Sequence, residues 1–275
     1  GPDDEGSVEL GDAWLGHRRL SIVDVAGGHQ PLVGSDDDTF LVGNGEVYNH
    51  DSLRGRMSDT RFRTASDNEV ALHVVEQDGP DGLAELNGMF AFAIADRSGG
   101  FLVARDPVGI KPLYWARLGE TTVFASEMTA FEPEQMSRIE AFPPGHYWTP
   151  DGGLVEFAPA VPSALRETAP SRLAPDAVPA DALRDVRWVL VDAVERQMMG
   201  DVPVGVFLSG GLDSTLVAAI AQRYLRRRGA RLQTFAVGLE DSPDLLAARA
   251  AAEFIGTDHH ERVYTAAEAT SALPE

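Results

Sequence analysis

Apolar residues in the first half of the chain come in short runs with turn residues between them, a pattern that predicts β-strands. Residues 13–23 mix apolar and basic positions, and Phe40-Leu41-Val42 is a short apolar run. Met89-Phe90-Ala91-Phe92-Ala93-Ile94-Ala95 is continuous, as expected of a strand buried on both faces. Residues 101–104, 113–116 and 122–125 read as further strands, with Ser98-Gly99-Gly100 at a turn. One helix stands out. Val70, Ala71, Val74 and Val75 form its stripe and Gly79-Pro80 stops it. Ser66, with Glu69 three residues on, predicts a capping box at its start.

The pattern then changes. Residues 158–180 carry Pro159, Pro162, Pro170, Pro175 and Pro179 with little periodicity, which predicts a linker. Residues 181–198 predict a helix with Leu183, Val186, Val189, Leu190 and Ala193 on one face. A buried strand at 204–208 leads into a helix striped by Leu216, Val217, Ile220, Ala221, Tyr224 and Leu225, with Gly229 at its stop. A strand at 235–237, a helix at 244–254 and a strand at 261–264 complete the run. Strands alternating with helices predict a parallel sheet with right-handed crossovers. The chain therefore divides at the sequence level into 1–157, a linker at 158–180, and 181–275, without an internal repeat.

Composition narrows the function classes. The 275 residues are 44 % hydrophobic and 24 % charged, an ordinary globular profile. Net charge is −20, which argues against a nucleic-acid partner and against anionic membranes. Lys111 is the only lysine, the other bases being arginines. Cysteine is absent, so no disulfide, Cys-ligated metal or thiol nucleophile is available in these residues. The polar, acidic start shows no signal peptide, and the expectation is a cytoplasmic protein. The chain lacks an initiator Met and ends at Ala272-Leu273-Pro274-Glu275, so it reads as truncated at both ends.

The sharpest local feature is Ser209-Gly210-Gly211-Leu212-Asp213-Ser214, between a buried strand and a helix. Helix-start N–H groups lack partners and the helix dipole favours negative charge, so this place suits a phosphate. Two glycines let the backbone approach closely, and Ser209 and Ser214 add hydroxyls. Asp213 is a candidate ligand for a Mg²⁺ ion bridging phosphates. No Gly-Lys-Ser/Thr follows, so this is not a Walker A loop. The hexapeptide resembles the pyrophosphate loop of the ATP pyrophosphatases. That likeness implies ATP as co-substrate, with backbone at Leu208 and Val237 beside the adenine.

Further stretches extend the likeness. They are Gly16-His17-Arg18-Arg19-Leu20-Ser21-Ile22-Val23-Asp24, Asn44-Gly45-Glu46-Val47-Tyr48-Asn49-His50, Ser66-Asp67-Asn68-Glu69-Val70, residues 104–114, and Phe124-Ala125-Ser126-Glu127. In this order they resemble the glutamine-hydrolysing asparagine synthetases. The resemblance implies an α+β sandwich (αββα) of the N-terminal-nucleophile glutaminase kind. Behind it comes a Rossmann-like α/β parallel-sheet domain of the ATP-pyrophosphatase kind. It implies glutamine, aspartate or a related carboxylate, and ATP with Mg²⁺ as ligands, and a homodimer is one expectation.

The chemistry of the residues fits those roles. Glutamine is a zwitterion, and Arg19 is suited to a carboxylate. Glu46 and Asp67 suit the α-ammonium, and backbone groups of Leu20, Ser21, Ile22 and Val23 line the same edge. Amide hydrolysis needs oxyanion donors, for which Asn44 and the Gly45 N–H are candidates. Plainer readings stay open beside these. Arg19 is one arm of a solvated strand, and Asn44-Gly45 is a common hairpin turn. Glu46 is a surface acid, and Asp67 a favourable charge in a first helical turn. Arg105 and Asp106 read as an ion pair or turn, His259-His260 lack a third metal ligand, and Arg226-Arg227-Arg228 read as a helix end.

The chain departs from the family in having no N-terminal cysteine and no second acidic Ser-Gly loop. The leading expectation is a glutamine-dependent synthetase. Glutamine yields ammonia, a carboxylate is adenylylated, and the amide forms with release of AMP and pyrophosphate. The alternatives are a β-lactam-forming or peptide-cyclising relative without glutaminase activity, and a non-catalytic ligand-binding module. These residues alone are expected to be inactive.

Overall fold

A computed structural model describes residues 1–161 and 179–273, so most of the predicted linker lies outside the described residues. The described residues form two compact units, one on each side of positions 162–178.

The first unit is built on a six-stranded antiparallel sheet. Its members are β3 (Leu32–Val33), β4 (Thr39–Val47), β5 (Gly88–Asp96), β6 (Phe101–Arg105), β10 (His146–Thr149) and β11 (Gly153–Glu156). They lie in the order β11-β10-β6-β5-β4-β3. The continuous apolar run of β5 is explained by what covers it. Phe90, Phe92 and Ile94 meet helices α1 (His50–Arg56) and α2 (Asn68–Asp78) through Leu53, Val70, Leu72 and Val74. The alternate residues Ala91, Ala93 and Ala95 face two smaller sheets on the opposite side. One is the hairpin β1 (Asp4–Leu10) and β2 (Ala13–Arg19), whose Leu10 and Leu15 pack on Phe40 and Ala95. The other has the order β8-β7-β9, from β7 (Tyr114–Leu118), β8 (Thr121–Ala125) and β9 (Glu140–Ala141). It brings Trp115 and Phe124 to Phe142 and Trp148. The layers are therefore helix, sheet, sheet.

One plainer reading is set aside and one local expectation is corrected. Asn44-Gly45 is not a hairpin turn. It lies inside β4, with Asn44 opposite Ala91 and Gly45 opposite Phe90. Ser66 and Glu69 do not form a capping box. The residue before α2 is Asp67, without a side-chain cap. The Glu69 carboxylate instead accepts from the Arg63 and Thr64 backbone N–H groups at 2.6 and 2.8 Å, because the preceding segment folds back over it.

The second unit is α/β. Strands β12 (Gly205–Phe207), β13 (Gln233–Gly238) and β14 (Asp258–Val263) are parallel, in the order β12-β13-β14. Helices α4 (Leu212–Arg226) and α5 (Pro243–Ile255) cover one face, Ala218, Ala221, Leu245, Ala248 and Ala252 packing with Leu208, Leu232 and Ala236. Helix α3 (Ala180–Arg196) carries the predicted stripe, but Leu183, Val186 and Val189 are exposed. Among the described residues it meets this core only at its C-terminal end, through Val194, with Met198 just beyond the helix. A short helix α6 (Ala266–Ser271) follows β14. The three arginines at the end of α4 serve packing. Arg226 reaches the Ile255 carbonyl, Arg227 pairs with Glu195, and Arg228 lies over the Tyr224 ring. No helix among the described residues is long and apolar enough to cross a membrane.

Candidate functional site

The first site lies where β2 crosses the end of β4. Leu15, His17 and Arg19 alternate onto one face of β2, and Leu15 packs with Val42 of β4. By the same alternation Val42, Asn44 and Glu46 share one face of β4, so the polar ends of the two rows meet. Among the described residues the outer edge of β4 beyond β3 has no neighbouring strand, and side chains occupy it. Gln30 bonds both the N–H and the carbonyl of Gly43, at 2.7 and 3.0 Å. Asn68 donates to the Gly45 carbonyl at 2.9 Å, and the Val47 N–H donates to Asp67 at 2.6 Å.

The Gly45 N–H is left over on that edge. The N–H and carbonyl of Phe90 are both bonded to Asp106, so the Gly45–Phe90 pair is the kind without ladder bonds. The Gly45 N–H thus points away from β5, with no acceptor among the described residues. A glycine is required here by close approach, since a Cβ would lie 2.2 Å from the Met89 carbonyl oxygen. The Asn44 side chain is exposed on the adjoining face.

Glu46 and Asp67 come together. Burial, with the Asp67 carboxylate beside it, pushes the Glu46 carboxyl up to about 8, against the pull of Lys111 and Arg19. Burial raises Asp67 as well, opposed by the Val47 and Asn68 N–H groups. Two buried carboxylates this close resist ionising together and share a proton. Asp67 therefore lies against Glu46 and makes no side-chain cap to α2, and Glu46 is not a plain surface acid. The buried Glu46 Oε2 and the buried His17 Nδ1 have no hydrogen-bond partner among the described residues. Burial also keeps His17 below its ordinary range, so its ring is neutral.

Arg19 is 5 % exposed, so it is not an arm of a solvated strand. Its guanidinium donates to the carbonyls of Val23, Asp24 and Val25 at 2.8, 2.9 and 3.3 Å. This gathers residues 20–28 into a loop instead of an extended edge. The carbonyl of Val23 is occupied by Arg19, and the Ser21 N–H donates to Asp3 at 2.8 Å. Leu20 is exposed, and Ile22 is half-buried.

In the sequence Lys111 stands out only as the single lysine, and Asp106 only as part of an ion pair or turn with Arg105. Asp106 is fully buried, and its carboxylate accepts from the N–H groups of Phe90, Val108, Ile110 and Lys111. Arg105 meanwhile donates to the carbonyls of Gly109, Lys111 and Phe142. The two residues thus cage one turn and are not an ion pair with each other. The turn places the Lys111 charge within reach of Glu46.

The second site is the turn from β12 into α4. Leu208 is buried, and residues 209–211 follow at the C-terminal end of a parallel strand. Among the described residues no side chain caps α4, so its first N–H groups lack a side-chain acceptor. Gly210 has φ +75°, and a Cβ there would lie 2.5 Å from the Ala247 backbone of α5. Ser209 and Ser214 bond each other through their hydroxyls at 3.0 Å. Leu212, Asp213 and Val237 are exposed around the turn. The cradle fits a phosphate chain: small, donor-rich and open. Among the described residues no three His, Cys, Asp or Glu side chains are grouped to hold a metal. Asp213 could contribute one ligand to an ion that phosphate oxygens also bind.

Two family models match separate parts of the chain. A family model described as a glutamine amidotransferase domain matches residues 1–150, and one described as asparagine synthase matches residues 185–275. A glutamine-hydrolysing asparagine synthetase of Asparagus officinalis is 42 % identical over 100 % of this chain and 46 % of its own length. Its Arabidopsis thaliana counterpart 2 is 42 % identical over 100 % and 47 %. The chain thus spans about half the length of the curated relatives it matches. A solved glutamine phosphoribosylpyrophosphate amidotransferase from B. subtilis, complexed with ADP and GMP, is 20 % identical. It has a TM-score of 0.46 and covers 90 % of this chain and 66 % of that one.

Proposed function

This chain belongs to the glutamine amidotransferase family, with an asparagine synthase segment behind that domain, and from this premise we propose that it binds glutamine in its first unit and ATP in its second. The activity served is amide synthesis. Ammonia from glutamine displaces AMP from an adenylylated carboxylate, aspartate being the simplest acceptor, and pyrophosphate is the other product. The observation that carries the reading is the buried Glu46–Asp67 pair with an unpartnered Glu46 oxygen. An arriving α-ammonium would replace the shared proton and complete that oxygen's bonding.

In this reading the α-carboxylate lies at Arg19, beside the 20–23 segment. The side-chain amide oxygen points at Asn44 and the Gly45 N–H. Such donors stabilise negative charge as it develops on oxygen. Attack on the amide needs a nucleophile, and these 275 residues contain no cysteine. The residues described here therefore bind and polarise the amide.

The turn at 209–214 holds the pyrophosphate part of ATP, with adenine near Leu208 and Val237, and Mg²⁺ held by Asp213 together with the phosphates. ATP supplies the leaving group that activates the carboxylate. A second reading, an adenylating enzyme without glutaminase activity, gives the Glu46–Asp67 pair no ligand.

Two experiments test the proposal. Equilibrium binding of L-glutamine and of MgATP to the chain should each saturate, with E46Q impairing only the first. The gene product containing this sequence should form AMP, pyrophosphate and asparagine from aspartate, glutamine and ATP. No AMP with any carboxylate tested would end the synthetase reading.

A further inference from the structure

The two ends of the amino-acid pocket are carried by different loops. Arg19 gathers residues 20–28, and Asp67 ends the segment 63–66. Asp24 joins them. It has φ +51°, a left-handed conformation uncommon for any residue with a side chain but more accessible to Asp and Asn. That turn lets one residue serve both sides. Its carbonyl accepts from Arg19 Nη2 at 2.9 Å and from the Gly28 N–H at 2.9 Å. Its Oδ1 accepts from the Gly27 N–H at 3.0 Å, and its Oδ2 from the Ala65 N–H at 2.8 Å.

The other segment is fixed from below by helices. Glu69 takes the Arg63 and Thr64 N–H groups and the Thr64 hydroxyl. Arg54 holds the carbonyls of Thr64 and Ser66 at 3.1 and 2.6 Å, and the Ser66 N–H donates to the Thr64 hydroxyl at 3.1 Å. The Ala65 N–H is directed the other way, onto Asp24, two residues before Asp67.

We propose that Asp24 is a positioning residue whose carboxylate latches the Arg19 loop to the segment before Asp67, fixing the spacing between the carboxylate end and the ammonium end of the amino-acid pocket. This rests on the glutamine reading of the first unit. A ligand with both charged groups depends on that spacing. A ligand lacking the α-ammonium depends on the Arg19 end alone. Asp24 thereby contributes to selectivity for an α-amino acid without touching it.

The test uses D24N and D24G in the 275-residue chain. Asn tolerates the same backbone and keeps one acceptor oxygen, so either Gly27 or Ala65 loses its bond. Gly keeps the backbone freedom and loses both bonds. Binding of L-glutamine and of glutaramate, its analogue without the α-amine, is measured by calorimetry. Exchange of the Ala65 amide hydrogen reports the latch itself. The expectation is an affinity for L-glutamine weakened about tenfold in D24G, glutaramate within about twofold of the unsubstituted chain, and faster Ala65 exchange. Equal weakening for both ligands would make Asp24 a general fold element and overturn the latch. So would unchanged glutamine affinity with a freed Ala65 amide. D24N, closest in shape to the original, gives the same comparison if D24G does not fold. Failure of the unsubstituted chain to bind glutamine would overturn the pocket reading together with the latch, whereas the preceding outcomes leave that reading standing.

Discussion

His73 provides a test of the first unit that needs no ligand. It is fully buried on α2, with Glu69 at 3.4 Å and Glu76 at 2.7 Å. Arg54 lies 3.9 Å from Glu69, and the Ser35 hydroxyl donates to Glu76 at 3.0 Å. Burial works against the charged ring, but the hydrogen bonds to Glu69 and Glu76 hold its pKa up to about 9. Burial opposes ionisation of Glu69 too, yet His73 and the Arg63 and Thr64 N–H groups hold it down to about 2. The rise in His73 from 6.5 to about 9, at about 1.36 kcal/mol per pH unit, corresponds to about 3 kcal/mol. Because the folded pKa is raised, this stabilisation is fully present below pH 6.5 and is lost as pH climbs through 9. Glu69 has the opposite sign: its contribution is present above 4.5 and is lost as pH falls through 2. The two contributions share one contact and are not additive.

The substitution is H73Q, which keeps much of the volume and removes the charge. Urea unfolding followed by tryptophan fluorescence suits the first unit, which contains Trp14, Trp115 and Trp148. At pH 6 H73Q should be less stable by about 3 kcal/mol, a midpoint shift of roughly 1–2 M. At pH 9.5 most of that gap should close. Glu46, whose pKa is also raised on folding, adds its own alkaline decline, but it does so in both proteins and cancels in the difference. A gap of equal size at both pH values would refute the charged-histidine argument.

Two glycines carry the remaining predictions. G45A places a methyl group against the Met89 carbonyl and the Phe90 Cα, so β4 and β5 must part locally. It should cost about 1–3 kcal/mol by overpacking and abolish glutamine binding while leaving MgATP binding unchanged, as calorimetry would show. G210A forces a left-handed alanine against α5, at about 1–2 kcal/mol for the backbone alone. It should lower MgATP affinity at least about tenfold and spare glutamine binding.

What the sequence made legible was local and periodic. The β5 run, the alternation of strands and helices after 204, and the glycine pair at a strand-to-helix turn all depend on neighbouring residues alone. Ambiguity arose where one local signal has two tertiary outcomes. Asn44-Gly45 favours a turn by backbone preference, but here the glycine is demanded by close contact with β5. Ser66 and Glu69 have capping-box spacing, but Glu69 is taken by a segment that folds back onto it. The α3 stripe has helical periodicity, yet its N-terminal part meets no partner among the described residues. Asp24 and Asp106 hold backbone N–H groups of their own turns and one each from a distant segment, at Ala65 and Phe90, and Lys111 acts through its charge. Asp24 carried no signal in sequence beyond the motif it lies in, Lys111 stood out only as the single lysine, and Asp106 only as an ion pair or turn.

The proposed glutamine site requires that Glu46 and Asp67 hold a proton that the ammonium of an amino acid displaces. Calorimetry of L-glutamine binding at pH 7, repeated in buffers of different ionisation enthalpy, measures that proton directly. With Glu46 near 8 the pocket is mostly protonated before binding, so release of about one proton is predicted, and none in E46Q. Binding without proton release, or release of the same size in E46Q, would contradict the claim.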